Sequence, residues 1–567
     1  MTTISEAIAS LQAGDYRALE RAKLTVPGFF NWAMDVFEPL YVRPRGETPA
    51  LLWIDDTVLE RRFTYSEFSG AGNRLLNLLR DFQVHKGDTV FVMVPVVPEV
   101  FLSYLAAIKG GFVLVPGATI LTEKDLEYRF TQLLPAAVLA DAASAQKIDA
   151  VEKALGKTIR VKILVGGTRA GWISSQEMDR YPDAARAERT RSSDTLLIFF
   201  TSGTTGPPKL VVHTHASHPV GHLTTAAWLG VRRGDVHYNI SQPGWAKFAW
   251  SSFFAPWTMG ATVFAYGYAG RFVAAKHLGA IERYSVTTFC SAPTVWRMFI
   301  LEDLSKYRFR LREVVSAGEP LNPEVIEAWR KATGLTIRDG YGQTESTLMV
   351  GNLPGAEVKL GSMGRPSFLY DVVLVDDNGN AVPPNEEGDI AVRLAPRPIG
   401  LFARYLGLPG DKYTSVVQTT LYRTGDRAYR DEDGRFWFVG RADDVIKASD
   451  YRIGPFEVES SLLEHPAVAE AAVVGSPHPI RGNLVKAYVV LRPGFAPSRE
   501  LAQELFAFTR RNLAPYKAPK ILEFVPDLPK TISGKIRRIE LRAKEVEAKG
   551  AGARGPQEYL YEDLKTP

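Results

Sequence analysis

Residues 201–209 combine the residue types that bind phosphate. They read TSGTTGPPK and lie between two apolar runs, 195–200 and 210–213, which predict buried strands. Glycine lets backbone amides approach an anion, hydroxyls add neutral donors, and lysine adds a charge. The Walker pattern differs, because it needs four residues between its first glycine and Gly-Lys and then a helix. The sequence therefore predicts a flexible phosphate-binding loop made of Thr201, Ser202, Gly203, Thr204, Thr205, Gly206, Pro207, Pro208 and Lys209.

Two further motifs follow predicted strands. GYGQTE at 340–345 offers an aromatic ring, the Thr344 hydroxyl and the Glu345 carboxylate. Thr344 could donate to a phosphate, and Glu345 could hold Mg²⁺, which prefers oxygen ligands. YRTGD at 422–426 places Asp426 at a strand end, where its carboxylate could accept two ribose hydroxyls. Taken alone, the GYGQTE motif reads equally well as an ordinary helix cap. The YRTGD motif, taken alone, reads as a turn.

Two charged segments occur near the C-terminus. GRADDVIKASDY at 440–451 lies where the composition changes, which predicts a linker between domains. LPKTISGKIRR at 528–538 presents Lys535 directly after a glycine. By itself, this second segment reads as a solvated basic loop.

Composition excludes several classes of protein and of site. The chain has 567 residues, with 68 Lys and Arg against 63 Asp and Glu, which gives a net charge of +5. No basic tract accompanies this small imbalance, so nucleic acid is not expected as a partner. The single cysteine, Cys290, excludes a disulfide framework, and its apolar neighbours favour a small buried side chain. The histidines between 213 and 222 lack a zincin pattern, and metal binding there is not expected.

The sequence predicts no targeting or membrane segment. The first residues carry Glu6 and Asp15 and lack an apolar run, so they do not resemble a secretory signal. The most apolar stretch, 89–116, is interrupted by prolines, Glu99 and Lys109. We therefore expect no integral membrane segment and a cytoplasmic location.

The stretch 89–116 instead predicts a βαβ unit. Residues 89–94 and 112–115 read as strands, and the helix between them begins at Pro98 and ends at Gly110-Gly111. The alternation recurs, with predicted strands at 261–266, 286–290, 311–316 and 335–339 and predicted helices at 273–284 and 323–333. Such alternation is typical of α/β layers with a parallel sheet.

From about residue 361 the pattern changes to short strands and turns, which predicts a small β subdomain over 361–440. The rest predicts an α+β domain with helices at 455–464 and 498–513 and strands at 469–474, 485–491 and 521–524. The charged tail after Lys544 is expected to fray. The predicted class is α/β, with a large N-terminal domain over 1–440, made of two α/β layers and the β subdomain, and a small C-terminal α+β domain over 441–567.

The ordered set TSGTTGPPK, YGQTE, YRTGD, GRADD, YRIGPFEVE and LPKTISGK resembles the adenylate-forming enzymes, which include acyl-CoA synthetases, adenylation domains and luciferase. The resemblance spans roughly residues 25–545. PGW at 243–245, APW at 255–257, RIGPFEVES at 452–460 and the segment APYKAPKILEFVPDLPKTISGKI look most similar to medium-chain acyl-CoA synthetases.

The resemblance implies a two-step, ATP-dependent reaction. A carboxylate attacks the α-phosphorus of ATP and releases pyrophosphate, and the thiol of coenzyme A then displaces AMP from the acyl-adenylate. It also implies that the loop 201–209 binds the β- and γ-phosphates, that Thr344 contacts the α-phosphate and that Glu345 holds Mg²⁺. Lys535 would act during adenylation, and Asp426 and Arg441 would hold the ribose. The residues around adenine would be Gly318, Glu319, Pro320, Asp339, Gly340 and Tyr341, and Gly342 and Gln343 would also belong to the cofactor site.

The resemblance further implies a mobile C-terminal domain that rotates about Asp443 between the two steps. A coenzyme A site would then be formed by Ser449, Asp450, Tyr451, Arg452, Arg481, Arg510, Ala518, Pro519 and Lys520. Asp450 departs from the pattern, since many relatives carry glycine there. A carboxylate therefore lies beside an anionic ligand in this chain.

The size of the acid is predicted from Gly342. Acetyl-CoA synthetases resemble this chain at the same motif but carry tryptophan, so a hydrogen here should leave the acyl pocket open. The stretch 245–257, which begins at Trp245, would supply aromatic walls, although it reads equally well as ordinary core packing. We therefore expect a small-molecule carboxylic acid of medium-chain, branched or aromatic type.

Two alternatives to an acyl-CoA synthetase stay open at this point. The first is an adenylating enzyme that loads a carrier protein, although no carrier domain is expected after Lys535. The second is a non-catalytic nucleotide-binding scaffold. The presence of all the implied charged residues argues against a scaffold, namely Lys209, Glu345, Asp426, Arg441 and Lys535.

Overall fold

The computed structural model describes residues 2–20, 23–57, 59–201, 208–407, 420–448, 451–479, 481–530 and 535–564. The chain divides into two compact units. Unit 1 comprises Met1–Val372 and Arg393–Tyr422, and unit 2 comprises Val373–Val392 and Arg423–Pro567. Among the described residues, no helix is long and apolar enough to cross a membrane.

A mostly parallel sheet in unit 1 carries the strands on both sides of the phosphate loop. The pair around the loop is antiparallel, with Thr201 opposite Lys209. The predicted βαβ unit is confirmed, because Thr89–Met93 and Val113–Pro116 are parallel neighbours joined by the helix Pro98–Gly110. The strands follow one another across the sheet in the order Arg404–Leu406, Lys209–Thr214, Thr195–Thr201, Val113–Pro116, Thr89–Met93, Ala137–Ala140, Val161–Leu164 and Ile173–Ser174.

A second sheet in unit 1 carries the predicted nucleotide segment. Glu313–Ala317 and Arg338–Gly342 are parallel neighbours in it, so their carboxyl ends meet at one edge. The predicted helix 323–333 is observed as Pro323–Thr333. Its strands follow in the order Ser362–Pro366, Leu348–Gly351, Arg338–Gly342, Glu313–Ala317, Thr288–Ser291, Val236–Asn239, Thr262–Gly267, Pro49–Asp55 and Glu60–Thr64.

The helices of unit 1 are positioned by caps and by burial of apolar faces. Tyr65–Asp81, for example, begins with a capping box in which Thr64 and Glu67 exchange side-chain and backbone hydrogen bonds, and it buries Phe68 and Leu75. The other helical segments of unit 1 are Ile4–Ala13, Tyr16–Glu20, Ala33–Val42, Arg43–Arg45, Glu123–Gln132, Ala142–Leu155, Ser175–Arg180, Ser217–Leu229, Ala246–Phe248, Ala249–Phe254, Ala255–Thr258, Ala274–Arg283, Pro293–Phe299 and Leu304–Lys306.

Unit 2 combines small sheets with three longer helices among its described residues, Pro455–Leu463, Arg499–Asn512 and Arg538–Gly550. One sheet has the order Val372–Val375, Glu387–Arg393, Leu421–Arg430 and Phe436–Arg441, and a second has the order Val468–His478, Gly482–Leu491, Ile521–Phe524 and Glu558–Leu560. Ile446–Ala448 pairs with Tyr451–Ile453, and Glu562–Leu564 forms a short 3₁₀ turn. The predicted α+β class of the C-terminal region is confirmed, whereas the predicted boundary at residue 440 stays a prediction.

The prediction of a frayed tail after Lys544 is wrong. The last helix continues to Gly550, and Glu558–Leu560 pairs antiparallel with Ile521–Phe524. A buried ammonium explains this order, because Lys486 contacts Glu545 at 2.6 Å and Glu558 at 2.5 Å. A solvated charged tail and a tail that satisfies a distant buried charge have the same composition, so the sequence alone did not distinguish them.

Candidate active site

The described ends of the phosphate loop connect to the Glu345 carboxylate through a tyrosine. The ammonium of Lys209 lies 5.2 Å from the ring centroid of Tyr405, and the Tyr405 hydroxyl donates to Glu345 Oε1 at 2.8 Å. Tyr405 is held in place because its strand, Arg404–Leu406, pairs antiparallel with Lys209–Thr214. Thr201, Pro208 and Lys209 of the predicted loop are therefore observed, whereas Ser202, Gly203, Thr204, Thr205, Gly206 and Pro207 lie outside the described residues.

The predicted adenine segments lie side by side. Gly318, Glu319 and Pro320 directly follow the strand Glu313–Ala317, and Asp339, Gly340 and Tyr341 lie on its parallel neighbour, with Ser316 opposite Asp339. Gly318 has φ 109°, which an L side chain rarely adopts, so glycine suits this turn. The carboxyl ends of parallel strands are where open α/β sheets bind ligands.

Asp339 is an acidic group that burial keeps protonated. Burial raises the pKa of the Asp339 carboxyl to about 8, against the opposing effect of a 2.9 Å hydrogen bond from the Gly340 amide. At neutral pH the carboxyl therefore has an O–H group. It can donate a hydrogen bond to a nucleotide base without placing a negative charge beside the phosphates.

The Gln343 to Glu345 segment is a turn and not the helix cap that was one interpretation of its sequence. The Ser346 amide donates to the Gln343 carbonyl at 3.1 Å, and the Tyr422 hydroxyl donates to Gln343 Oε1 at 2.9 Å. The Phe402 amide donates to the Glu345 carbonyl at 2.7 Å. These contacts fix the Thr344 hydroxyl and the Glu345 carboxylate at the end of the strand Arg338–Gly342.

His213 supports this turn from the core. Its Nε2 lies 2.7 Å from the Thr344 carbonyl oxygen, to which it must donate, and its Nδ1 lies 3.2 Å from the Ser217 hydroxyl. Burial lowers the pKa of His213 to about 4, so the ring is neutral at pH 7. The crowded histidines of the sequence therefore include one that positions the backbone of Thr344.

The prediction of an open pocket at Gly342 is wrong. A Cβ on Gly342 would lie within 2.5 Å of the Trp250 ring and closer still to the Thr347 carbonyl oxygen, well inside a normal contact of about 3.5 Å. Trp250 is 5% exposed, and its indole N–H has no hydrogen-bond partner among the described residues. The tryptophan of the stretch 245–257 thus fills the volume that the sequence comparison left empty.

The rest of the aromatic stretch is ordinary core packing with one partly buried member. Trp245 is half-buried and precedes the helix Ala246–Phe248, whereas Phe253, Phe254 and Trp257 are fully buried. A neighbouring cavity of about 10 Å³, lined by Phe248 among others, has room for about one water and not for an acyl chain. Cys290 is also buried, and burial raises the pKa of its thiol, which makes it a poor nucleophile.

In unit 2 the two predicted ribose ligands face each other. Asp426 lies opposite Arg441 in an antiparallel pair, and Arg441 Nε lies 3.7 Å from Asp426 Oδ1. The carboxylate is buried and the arginine is 44% exposed, so the pair presents its cation to solvent. The prediction that Asp426 ends a strand is wrong, because it lies in the middle of Leu421–Arg430, next to an irregularity in the pairing.

The predicted hinge and the predicted catalytic lysine of unit 2 are both exposed. Asp443 lies in a turn after Phe436–Arg441, in which the Asp444 amide donates to the Arg441 carbonyl at 2.9 Å. Lys535 is exposed next to the bridge between Lys530 and Ile536. The preceding residues 531–534 lie outside the described residues.

The predicted coenzyme A residues are partly observed. Ser449, Asp450 and the side chain of Arg452 lie outside the described residues. Tyr451 is half exposed and stacks on Tyr516 with ring centroids 4.3 Å apart, and Arg481 is exposed. Arg510 and Lys520 are half-buried, whereas Ala518 and Pro519 are buried. Of these four residues, the two cations are therefore the ones accessible to solvent.

Sequence reasoning missed four residues that shape the site, Tyr405, Tyr422, His213 and Trp250. Tyr405 comes from a stretch without a motif, and Tyr422 begins the YRTGD motif but had no predicted role; only the fold brings them to the GYGQTE turn. His213 did carry a signal, because it lies four residues after Lys209 on a predicted strand. Trp250 lay within the predicted aromatic wall, but its position over Gly342 depends on the packing of a helix.

Comparisons with known proteins identify the family of the chain. The AMP-binding enzyme family matches residues 41–406, and the AMP-binding enzyme C-terminal domain matches residues 457–535. The chain is 52% identical to 4-hydroxybutyrate--CoA ligase 1 of Metallosphaera sedula, over 94% of this chain and 93% of that protein. It is 45% identical to the mitochondrial acyl-coenzyme A synthetase ACSM3 of Mus musculus, over 92% of each. A crystal structure of the anthranilate CoA ligase AuaEII with anthranoyl-AMP matches with a TM-score of 0.85 and 30% identity, over 93% of this chain and 99% of that one.

The fold and the site together define an ATP-dependent, AMP-forming acid–thiol ligase, which makes a CoA thioester through an acyl-adenylate. ATP and coenzyme A are the substrates that this reaction requires. The chain belongs to the AMP-binding enzyme family.

Proposed function

We propose that unit 1 holds the triphosphate between the loop 201–209 and the Glu345 carboxylate. The observation that carries this assignment is the connection from Lys209 through Tyr405 to Glu345. It joins a cation suited to the β- and γ-phosphates with a carboxylate suited to a metal. In such chemistry the protein mainly positions groups and neutralises charge.

Glu345 would hold Mg²⁺. The donor set fits this ion, because Glu345 and the neighbouring Thr344 offer oxygen atoms, and Mg²⁺ is usually bound by one or two carboxylates together with phosphates. The hydrogen bond from Tyr405 fixes one carboxylate oxygen, as outer contacts of metal ligands commonly do. The bound ion would supply charge neutralisation at the phosphates.

The residues of this chain divide the adenylation step between them. Thr344 donates to the α-phosphate, and its position depends on the hydrogen bond from His213 to its carbonyl. Asp339, protonated at neutral pH, offers a donor to the adenine, with Gly318, Glu319, Pro320, Gly340, Tyr341 and Gln343 around it. Asp426 accepts from the ribose hydroxyls, and Arg441 accompanies it. Lys535 contributes a cation to the attacking carboxylate and the α-phosphate.

The thioester step uses a second set of residues in unit 2. The thiol of coenzyme A attacks the acyl carbon, and AMP leaves with the bonding electrons of the acyl–oxygen bond. Arg481, Arg510 and Lys520 supply cations for the phosphates of coenzyme A, and Tyr451 lies beside them. We assign the change between the two steps to a rotation about Asp443, and no cysteine of the chain takes part.

The acid is a medium-chain, branched or aromatic carboxylic acid. The name of one similar structure supports the aromatic part of this range, since it refers to anthranilate, whereas the name of one relative refers to 4-hydroxybutyrate, a four-carbon hydroxy acid. Trp250 sets the far end of the acyl pocket at Gly342, and its unpartnered indole N–H suits an acid that carries a hydroxyl group. The acyl pocket is therefore shorter than it would be if no side chain occupied the space over Gly342.

An acid panel tests the proposal. Acetate, butyrate, 4-hydroxybutyrate, hexanoate and benzoate are incubated with ATP, with and without Mg²⁺ and coenzyme A, and pyrophosphate and thioester are measured. Each buried methylene contributes about 0.8 kcal/mol, so hexanoate should exceed acetate by roughly a hundredfold in kcat/KM. A preference for acetate would contradict the proposed acid. Pyrophosphate release without any thioester would favour loading of a carrier protein, and no release with any acid would favour a scaffold.

A further inference from the structure

Two cations of unit 2 lie over the same aromatic ring. The guanidinium carbon of Arg510 is 4.6 Å from the ring centroid of Tyr561, and the ammonium of Lys520 is 5.5 Å from it. Both distances are within the range of about 6 Å at which a ring face attracts a cation. Arg510 comes from the helix Arg499–Asn512, whereas Lys520 directly precedes the strand Ile521–Phe524. The ring therefore brings together two charges from separate elements.

The ring of Tyr561 is fixed by its backbone and by the core. Its amide donates to the Lys520 carbonyl at 2.9 Å, as a continuation of the pairing between Glu558–Leu560 and Ile521–Phe524. Its ring contacts Phe506 with centroids 5.6 Å apart, and Leu564 three residues later is buried. The Gln503 amide group donates to the Leu564 carbonyl at 3.2 Å, which ties the segment to the same helix that carries Arg510. The position of the Tyr561 ring is thus fixed by strand pairing and by contacts with the core.

An aromatic ring holds a cation differently from a carboxylate. A carboxylate partner would neutralise the charge, whereas a ring face orders a long side chain and leaves its charge available to an anion. Lys520 also donates a hydrogen bond to the Pro515 carbonyl at 3.2 Å, which further fixes its side chain. A phosphate group that contacts both side chains would be attracted by both charges.

We propose that Tyr561 is a positioning residue for the phosphate groups of coenzyme A, acting through Arg510 and Lys520. This inference rests on the proposed function, which assigns those two cations to coenzyme A. The segment that carries Tyr561 lies beyond residue 535, where the match to the C-terminal family domain ends. The tail of this chain therefore extends the thioester half of the site.

The experiment compares Tyr561→Leu with Tyr561→Phe and with Tyr559→Leu in the full chain. Tyr561→Phe keeps the ring and removes only the hydroxyl. Tyr559→Leu is the matched control, because Tyr559 lies on the same segment and its ring contacts Phe524 at 5.8 Å. The measured quantities are KM and kcat for coenzyme A, the same constants for pantetheine, which lacks the nucleotide phosphates, and the pyrophosphate-exchange rate without a thiol.

Tyr561→Leu should raise KM for coenzyme A about five- to tenfold, which is the scale of losing two cation–ring contacts. It should leave kcat, KM for pantetheine and pyrophosphate exchange within about twofold of wild type, and Tyr561→Phe should restore KM for coenzyme A. An equal rise in KM for pantetheine and coenzyme A, or the same rise in Tyr559→Leu, would overturn the inference and indicate a structural role. If Tyr561→Leu does not fold, Tyr561→Phe with at least a fivefold rise in KM for coenzyme A would likewise overturn it.

A further variant separates this inference from the proposed function. Arg510→Gln should raise KM for coenzyme A. The double variant Arg510→Gln/Tyr561→Leu should raise this KM no more than the double variant Arg510→Gln/Lys520→Gln does. If Arg510→Gln and Lys520→Gln both leave KM for coenzyme A unchanged, the assignment of the coenzyme A site fails. If they raise it and Tyr561→Leu does not, only the role of Tyr561 fails.

Discussion

In unit 1 buried histidines are held without charge, whereas in unit 2 a buried lysine keeps its charge among carboxylates. His213, His218 and His222 contact one another in series, with ring centroids 4.5 Å and 4.4 Å apart. Burial lowers the pKa of all three, and both ring nitrogens of His218 lack hydrogen-bond partners among the described residues. Unit 1 therefore tolerates these imidazoles as neutral groups.

Lys486 in unit 2 shows the opposite outcome. Its ammonium contacts Glu523 at 2.7 Å, Glu545 at 2.6 Å and Glu558 at 2.5 Å. Burial alone would lower its pKa, but the hydrogen bonds to the three carboxylates outweigh burial and raise it. The same carboxylates meet the geometric conditions of a metal cluster, yet the ammonium already occupies the position that an ion would take.

The difference between the neutral histidines of unit 1 and the charged Lys486 of unit 2 indicates how each unit contributes charge to the reaction. Around the nucleotide segments, unit 1 contains buried groups that are neutral, such as the protonated Asp339 and the imidazole of His213. The buried guanidinium of Arg338 beside them is paired with Glu313 at 2.8 Å. Unit 2 retains its buried charge by pairing it and exposes further cations, including Arg441 and Lys535. We therefore expect acid and charge-removing substitutions to affect the two units differently.

The largest expected effect is selective unfolding of unit 1 by acid. Burial lowers the pKa of His215 and His277 to about 4 and that of His237 to about 3, so each group resists protonation in the folded state. A histidine with a lowered folded pKa contributes stability above pH 6.5, and this stability is lost as the pH falls towards 4. Each contributes up to about 3–5 kcal/mol, and together they are comparable to a typical net stability of about 5–15 kcal/mol.

Hydrogen exchange resolved along the chain at pH 7.5 and pH 5 measures this effect. Against the opposing effect of burial, the hydrogen bonds from Lys486 lower the pKa values of Glu545 and Glu558, so the contribution of these two carboxylates is lost only below their ordinary value of 4.5, and unit 2 should stay protected at pH 5. His218→Leu removes one unpartnered imidazole and should make unit 1 more stable at pH 5. Loss of protection in both units at the same pH would contradict the comparison.

Lys486→Met should destabilise unit 2 by about 3–5 kcal/mol, because it leaves three buried carboxylates without their shared cation. Urea unfolding at pH 7 measures the loss, and Lys549→Met is the matched control. Lys549 also contacts Glu558, at 2.9 Å, but is 24% exposed, so its removal should cost only about 1 kcal/mol. The Lys486→Met deficit should shrink at pH 5, since the uncompensated carboxylates then bind protons. An equal decrease in the free energy of unfolding in both variants would show that the buried contacts of Lys486 contribute no more than the partly exposed contact of Lys549.

Lys535→Ala should separate the two half-reactions. The exposed ammonium is the cation that unit 2 is proposed to supply for adenylation, and loss of one such contact to a transition state costs roughly 10²- to 10³-fold in rate. Thioester formation from synthetic acyl-adenylate should be retained. Lys530→Ala is the control, because Lys530 lies on the same segment but pairs with Glu470 at 2.9 Å. An equal decrease in both half-reactions would assign Lys535 to a different role.

Trp250→Ala gives the smallest predicted effect, a change in acid preference. Removal of the indole opens the volume over Gly342, and two additional buried methylenes would contribute about 1.6 kcal/mol, which is roughly tenfold in kcat/KM for octanoate relative to butyrate. Gly342→Ala is the control, since its Cβ meets the Thr347 carbonyl oxygen and should lower activity with every acid. An unchanged preference in Trp250→Ala would place the acyl pocket elsewhere.

The sequence predicted those parts of the fold and site that local patterns determine. The helix at 323–333 and the strand at 521–524 were predicted with their observed bounds, because Pro, Gly and apolar runs mark both ends. The order of the motifs identified the family, and the strands at 313–317 and 338–342 bring the predicted adenine segments together.

The parts that sequence reasoning missed depend on contacts between distant residues. Trp250 and Gly342 are far apart in the chain, and no local pattern shows that an indole occupies the space of the missing side chain. Likewise, Tyr405 reaches Glu345 only because its strand pairs with the one that begins at Lys209. The ordered tail follows from the burial of Lys486, a residue that looked like any other lysine in a strand.

Transfer of labelled oxygen tests the central claim most directly. The acid with the highest rate in the panel is prepared with both carboxylate oxygens as ¹⁸O and is incubated with ATP, Mg²⁺ and coenzyme A. If the carboxylate attacks the α-phosphorus and the thiol then cleaves the acyl–oxygen bond, mass spectrometry should find one ¹⁸O in AMP, one in the thioester and none in pyrophosphate. Label in inorganic phosphate with ADP as the product, or thioester formed without any label in AMP, would contradict the account.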